Sequence, residues 1–236
     1  MLTHKIRKLN QAGYDCIFIN APFHLPMKST IEINGEKVEV DNGKRENAKA
    51  WFLYSDVDPA DASLALTETP MPYVGLEESC ALIGNIIKEE VGENEFCGLL
   101  GFSQGSVMVH ILSAITCYSK ISNIEEKPLE IKSALLQFHK IKCSILISGF
   151  IAMHNEPILP FLPSPITSSK SSLGIPSFHI IGTKDTSVSP ELSKKLYSCF
   201  SHSSNDNILY HEKGHMIPQR SFECSKIIQF INDSNI

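Results

Sequence analysis

The apolar residues of this chain occur in short runs that alternate with amphipathic stretches. Such alternation is typical of a mostly parallel β-sheet with helices on both faces. The core strands predicted from these runs are 16–19, 98–102, 144–148, 177–181 and 207–210. Since neither an internal repeat nor a clear linker divides the sequence, we predict a single α/β domain over residues 1–236.

Amphipathic spacing predicts the helices that cover this sheet. Leu76 begins a series of apolar residues spaced four, three and four positions apart, which ends at Ile87 and marks one helical face. Residues 106–115 are almost all apolar, so we predict a helix buried beneath other layers. Further helices are predicted at 6–12, 189–199 and 224–231, with Gly13 as the C-cap of the first and Ser189-Pro190 beginning the second.

Two segments are predicted to lie outside the sheet. Residues 31–40 alternate strictly between apolar and polar around Asn34-Gly35, which predicts a surface β-hairpin. The Pro/Ser-rich stretch between Phe150 and Pro176 is interpreted as a lid or an irregular crossover.

The sequence Gly101-Phe102-Ser103-Gln104-Gly105 fits the G-x-S-x-G nucleophile elbow. This motif needs a sharp strand-to-helix turn that strains the serine backbone, with glycines that let the neighbouring backbone approach. At the helix N-terminus the serine oxygen lies where free N–H groups favour an oxyanion, and the Gln104 amide is predicted to be one donor. The five residues alone are a weak signal, and a plain strand-to-helix turn is the alternative. The strand before and the helix after favour the catalytic interpretation.

A nucleophilic serine needs a base, and the base needs an orienting acid. Asp185 follows the strand at 177–181, and His215 follows the strand at 207–210. Both stand at strand carboxyl ends, where open α/β sheets place their sites, and the order Ser, Asp, His suits this fold. We therefore predict Ser103, Asp185 and His215 as a catalytic triad.

Other interpretations of these residues remain open at this point. Taken singly, Asp185 is a cap near Ser189 and His215 a polar loop residue, while His211 is a rival base at the edge of its strand. The segment from His211 to His215 also matches H-E-x-x-H, a zinc-protease signature that requires a helix. Gly214 and Pro218 disfavour a helix there, so we interpret this match as coincidental.

Matches to one family extend along nearly the whole chain. They are Ile19-Asn20-Ala21-Pro22, Ala50-Trp51-Phe52, Gly75-Leu76-Glu77-Glu78-Ser79, the stretch from Gly98 to Gly105, Ile147-Ser148-Gly149-Phe150, Gly182 to Asp185, and Gly214 to Pro218. On these residues the chain resembles the FSH family of serine hydrolases. The resemblance implies an α/β-hydrolase fold, carboxylic-ester or thioester hydrolysis, and no metal or other cofactor. It also implies a cytoplasmic or nuclear location, and it carries the triad onto Ser103, Asp185 and His215. Acyl-protein thioesterases share the elbow but lack the Trp51-Phe52 segment, which makes them the second choice.

One feature departs from the family pattern. Family members begin with an apolar strand and a His-Gly loop that donates the second oxyanion N–H, whereas this chain begins in the helix that follows. By analogy that strand belongs between 16–19 and 98–102, and its loss would leave buried backbone groups of both without partners. We therefore expect a truncated gene model, an alternative start or a splice form, with weak activity or low stability in the chain as written.

Four residues near the predicted strand ends are candidates for an apolar acyl pocket. They are Trp51, Phe52, Phe150 and Met216. An equal alternative is that Trp51 and Phe52 are core residues of a covering segment.

Composition narrows the class of protein. With 42% apolar and 20% charged residues and a net charge of −5, the chain is ordinary for a globular protein, without the basic face that nucleic acid would need. It lacks the 18–20-residue apolar run of a membrane span and a secretory core at its start. Seven cysteines without a CxxC pair predict free thiols in a reducing compartment, either cytosol or nucleus.

Three function classes remain: an esterase or thioesterase acting on a small acyl substrate, a non-catalytic relative that binds acyl ligands or partners, and a zinc peptidase.

Overall fold

The computed structural model describes residues 8–25, 28–33, 36–41, 48–54, 73–93, 95–118, 129–151, 173–201, 207–218 and 220–234. Its strands are β1 (Phe23–His24), β2 (Lys28–Ile33), β3 (Glu36–Asp41), β4 (Lys49–Ala50), β5 (Leu53–Tyr54), β6 (Tyr73–Val74), β7 (Cys97–Phe102), β8 (Ile141–Ile147), β9 (Ser177–Gly182) and β10 (Ile208–His211). Its helices are α1 (8–11), α2 (Leu76–Glu90), α3 (Gln104–Tyr118), α4 (Leu129–Gln137), α5 (Pro190–Tyr197) and α6 (Ser221–Asp233). The segment predicted as a lid or crossover lies mostly outside the described residues, which omit 152–172.

A parallel sheet of four strands, in the order β10-β9-β8-β7, forms the centre of the described structure. Its strands confirm the predictions at 98–102, 144–148, 177–181 and 207–210. All four run in one direction, so their carboxyl ends lie along the same edge of the sheet. The predicted α/β class is therefore confirmed.

Helices pack on both faces of this sheet, as predicted. On β8 the side chains of Cys143, Ile145 and Ile147 pack in one hydrophobic cluster with Ile227 and Phe230 of α6. On the opposite face, the Ser144 hydroxyl lies 2.7 Å from the Ser113 hydroxyl of α3. Neighbouring residues of β8 lie on opposite faces of the sheet because side chains along a strand alternate with a period of two.

The helix predicted at 106–115 is confirmed as the buried part of α3. The series that begins at Leu76 is confirmed as the buried face of α2. Here α2 crosses α4 so closely that a Cβ on Gly84 would lie 2.6 Å from the Cα of Ala134. The 31–40 hairpin is also confirmed, because β2 and β3 pair antiparallel with Ile33 opposite Glu36.

The strand predicted at 16–19 is wrong, because residues 14–21 have no regular structure. A strand is held by hydrogen bonds to a neighbouring strand. Among the described residues, no strand pairs with 16–19, and the central sheet ends at β7. Phe18 is accordingly 56% exposed.

The strand at 98–102, which was predicted to be buried, is buried only in part. Leu100 of β7 is 47% exposed, although it belongs to an apolar run. The reason is position, since β7 is the last strand of the described sheet and has a neighbour on one side only. None of the described helices is long and apolar enough to cross a bilayer.

Candidate active site

Ser103 lies in a strained turn between β7 and α3. Its φ is +54°, a left-handed conformation that a serine rarely adopts. The Ser103 amide donates to the carbonyl of Ile147 at 3.0 Å, which ties the turn to the end of β8. A Cβ on Gly101 would collide with the backbone of Gly105, so the first glycine of the motif is sterically required. A Cβ on Gly105 would only contact the indole nitrogen of Trp51, at 3.6 Å, so the second glycine is not required in this way.

The side chain of Ser106 stabilises this turn through hydrogen bonds. This fully buried side chain has its hydroxyl 2.8 Å from the carbonyl of Gly101 and 2.9 Å from that of Ile147. The same oxygen accepts a hydrogen bond from the Ile147 amide at 3.0 Å. The elbow is thus fixed to the neighbouring strand by side-chain as well as backbone hydrogen bonds.

Asp185 and His215 form a hydrogen-bonded pair. The Nδ1 of His215 lies 2.8 Å from the Oδ2 of Asp185, whose side chain is 1% exposed, against 21% for the histidine. The other oxygen of Asp185 accepts from the amides of Ser187 at 3.0 Å and Val188 at 2.9 Å. Asp185 therefore caps its own turn and binds the imidazole at the same time, while the N-cap of α5 is Ser189.

The surroundings of Asp185 keep its carboxyl group ionised. Burial alone raises the pKa of this group, but hydrogen bonds from the Val188 amide and His215 outweigh it and lower the pKa below its ordinary value. Ser148 adds to this lowering, although its buried hydroxyl makes no hydrogen bond of good geometry within the described part of the chain. A charged carboxylate at this position favours a proton on the Nδ1 of His215.

The His215 ring lies beside the nucleophile elbow. Its centroid is 4.6 Å from that of Phe102, the residue that precedes Ser103. The loop before it packs closely on the end of β9, where a Cβ on Gly182 would lie 2.7 Å from the carbonyl of Lys213. The structure thus brings the three residues that the sequence predicts as a triad to the carboxyl edge of one sheet.

His211 is placed differently from His215. It is the last residue of β10, 7% exposed, and its Nδ1 accepts from the Lys213 amide at 3.3 Å. Burial lowers its pKa, with opposing contributions from Glu223 and Asp185. Residues 212–216 are bends rather than a helix, so the two histidines are not one helical turn apart, as a zinc-protease motif requires.

Ser148 is a site residue that the sequence analysis missed. It follows β8 directly, it is 1% exposed, and its φ of +46° is the second positive value found at a non-glycine residue in the described structure. Its amide donates to the carbonyl of Ile180 at 2.9 Å. Two sequence signals marked it: its position at the end of an apolar strand and its place in the family match from Ile147 to Phe150.

The four predicted pocket residues are found in two environments. Trp51 and Met216 are partly exposed, whereas Phe52 is 1% and Phe150 is 6% exposed. Phe52 stacks on Tyr73 with ring centroids 4.3 Å apart, in the core cluster that also contains Phe150. This burial favours the core interpretation of Phe52 and disfavours a pocket wall for Phe150.

Comparisons with known proteins show the family to which this chain is related. A family model described as "Serine hydrolase (FSH1)" matches residues 2–227. The chain is 28% identical to "Esterase OVCA2" of Danio rerio, over 93% of this chain and 83% of the relative. It is 29% identical to an esterase of Caenorhabditis elegans, over 80% of this chain and 72% of the relative. A crystal structure of a Bacillus cereus carboxylesterase is 13% identical, covers 88% of this chain and 73% of that one, and has a TM-score of 0.44.

Proposed function

The chain belongs to the serine hydrolase (FSH1) family, and from that premise we propose that it cleaves carboxylic esters or thioesters through an acyl-enzyme on Ser103. The observation that carries the proposal is the 2.8 Å hydrogen bond between His215 and the buried Asp185, beside a strained serine at a helix N-terminus. These are the parts that nucleophilic catalysis by serine needs.

Ser103, His215 and Asp185 have different roles in the proposed reaction. Ser103 Oγ attacks the acyl carbon as its proton passes to Nε2 of His215, which is the acceptor when Nδ1 donates to Asp185. The protonated imidazole then gives that proton to the leaving alkoxide or thiolate as the bond to the acyl carbon breaks. Water hydrolyses the acyl-enzyme by the reverse sequence of proton transfers, which frees the carboxylic acid and returns the proton to Ser103.

The oxyanion formed in each step needs hydrogen-bond donors. We assign one donor to the backbone amide of Gln104, at the first turn of α3, where the helix N-terminus also favours negative charge. Trp51 and Met216 are partly exposed; Trp51 lies against Gly105, and Met216 follows His215 in the chain. We assign both to the wall of the acyl site.

Hydrolysis by matched serine variants tests the proposal. A chromogenic short-chain ester and the corresponding thioester are assayed with the wild type, Ser103→Ala and Ser225→Ala. We expect Ser103→Ala to lose at least about a thousandfold in kcat, since the covalent route needs the hydroxyl. Ser225, an exposed serine of α6, serves as the control and should change neither rate. Full activity in Ser103→Ala would refute the proposal, and the ratio of the two wild-type rates identifies the preferred bond.

The thiols support a proposal on location. Burial raises the pKa of the Cys80 and Cys143 thiols to about 12, so both stay protonated at neutral pH. Such thiols are stable where disulfides do not form, so we propose the cytosol or the nucleus. Fractionation of cells that express the tagged chain tests this, and recovery from the secretory pathway would contradict it.

A further inference from the structure

The side chain of Gln104 is bonded to a segment far away in sequence. Its Oε1 accepts from the Trp51 amide at 2.9 Å, and its Nε2 donates to the Phe52 carbonyl at 3.0 Å. The hydroxyl of Ser79, on α2, donates to the Trp51 carbonyl. Two side chains on two helices therefore fix the backbone of residues 51–52. The position of this segment thus depends on Gln104, the residue that follows the nucleophile.

This clamp determines where the Trp51 ring lies. Phe52 is held in the core by its stacking on Tyr73, whereas Trp51 remains partly exposed. The indole nitrogen is 3.6 Å from where a Cβ of Gly105 would be, so the ring covers the first turn of α3. Trp51 is therefore held next to Gln104, the residue whose backbone amide we assign as an oxyanion donor.

We infer that Gln104 is a positioning residue, which holds Trp51 as the wall against the acyl group of the substrate and so sets a preference for apolar acyl chains. The inference rests on the proposed function. We assign Trp51 to the acyl group rather than to the leaving group because the base must lie beside the leaving group. The His215 ring lies against Phe102, whereas Trp51 lies against Gly105, on the other side of Ser103 in the chain. The Gln104 side chain does not touch the substrate, and it acts through Trp51.

A chain-length series measures this preference. Esters from acetyl to dodecanoyl, with one common leaving group, are assayed with the wild type, Trp51→Ala, Gln104→Met and the double variant. Each methylene that the wall covers should raise the wild-type kcat/KM by up to about fourfold. Gln104→Met should flatten this rise mainly through KM, since the lost contact is equal in the ground and transition states.

The double variant and a matched control decide whether Gln104 acts through Trp51. The double variant should be no flatter than Trp51→Ala alone, because the two changes remove the same wall. Gln137→Met, the same substitution on α4 where the amide binds the Ser133 carbonyl at 3.4 Å, should keep the wild-type profile. A Gln104→Met enzyme with the wild-type slope, or one that loses kcat equally for every chain, would overturn the inference.

Fluorescence provides a readout that does not depend on turnover. Trp51 is the single tryptophan of the chain, so its emission reports this position alone. Gln104→Met should make the emission more sensitive to acrylamide. Gln104→Glu keeps the acceptor for the Trp51 amide, so its sensitivity to acrylamide should lie between those of the wild type and Gln104→Met. This variant replaces Gln104→Met in the test if the methionine variant does not fold. Unchanged quenching in both variants would overturn the clamp.

The two proposals fail in different ways. If the wild type cleaves neither the ester nor the thioester while acrylamide quenching still depends on Gln104, the proposed function fails. The clamp then stands without a catalytic role, which overturns the inference on acyl preference. If the wild type cleaves esters with a profile that Trp51→Ala and Gln104→Met leave unchanged, only the inference fails.

Discussion

At the scale of single residues, the site depends on hydrogen bonds that orient one imidazole. Asp185 holds His215 through one oxygen, and two backbone amides hold its other oxygen, so the carboxylate cannot turn away. Asp185→Asn keeps the shape but removes the charge that favours a proton on Nδ1. We expect kcat to fall by about ten-thousandfold, as for a triad with the wrong tautomer.

The control for this prediction is Asp233→Asn, at the exposed end of α6, which should keep the wild-type kcat. Steady-state kinetics with a chromogenic ester measures both variants. A rate near that of the wild type in Asp185→Asn would show that the carboxylate does not orient the base.

The sequence predicts some of these residues and not others. Ser103, Asp185 and His215 are predictable because each follows a recognisable strand in a chain order that the fold requires. The clamp by Gln104 was not predictable, because its partners lie 53 and 52 positions away and side-chain hydrogen bonds leave no periodic pattern. The positive φ of Ser148 was not predictable either, because its backbone is hydrogen-bonded to Ile180 on the neighbouring strand β9.

At the scale of elements, the loop after β10 is set by its packing on the end of β9. A Cβ on Gly182 would lie 2.7 and 2.8 Å from the carbonyls of Lys213 and Gly214, next to His215. Gly182→Ala should therefore displace the histidine loop and lower kcat by about a hundredfold, since small misplacements of a catalytic group are costly.

Gly174→Ala is the matched control, because a Cβ at Gly174 would meet nothing within 4 Å. Thermal melting and kcat are measured for both variants. If Gly182→Ala keeps the wild-type kcat while it folds, the position of this loop does not determine catalysis.

Elements were predicted well where local pattern and final environment agree. The strands β8 and β9 are apolar runs and are buried on both faces. Residues 16–19 have the same kind of pattern but form no strand, since a strand also needs a partner. Pairs of two-residue strands, such as β1 with β4, are too short to leave a pattern in sequence.

At the scale of the whole molecule, two apolar clusters enclose the sheet, and charged groups meet near its carboxyl edge. His211 is buried there, facing Glu223, Asp185, Lys213 and Arg220, with a lowered pKa. A lowered folded-state pKa means that the unfolded chain binds protons first as the pH falls. The corresponding stability is present above about pH 6.5 and is lost as the pH falls toward the lowered pKa.

His211→Gln should therefore lose less stability than the wild type between about pH 8 and pH 5.5. Thermal melting at several pH values measures the difference, with His139→Gln as the control because His139 is exposed. An equal loss in the wild type and His211→Gln would show that other groups cause the acid sensitivity.

The central claim is that Ser103 is a nucleophile activated by His215. The most direct measurement is the reaction of the purified chain with a fluorophosphonate, followed by peptide mass spectrometry and by the rate of modification in Ser103→Ala and His215→Asn. We predict one adduct, on Ser103, that is absent in Ser103→Ala and at least about a hundredfold slower in His215→Asn. A folded protein that is not modified, or one modified at the same rate without His215, would contradict the account.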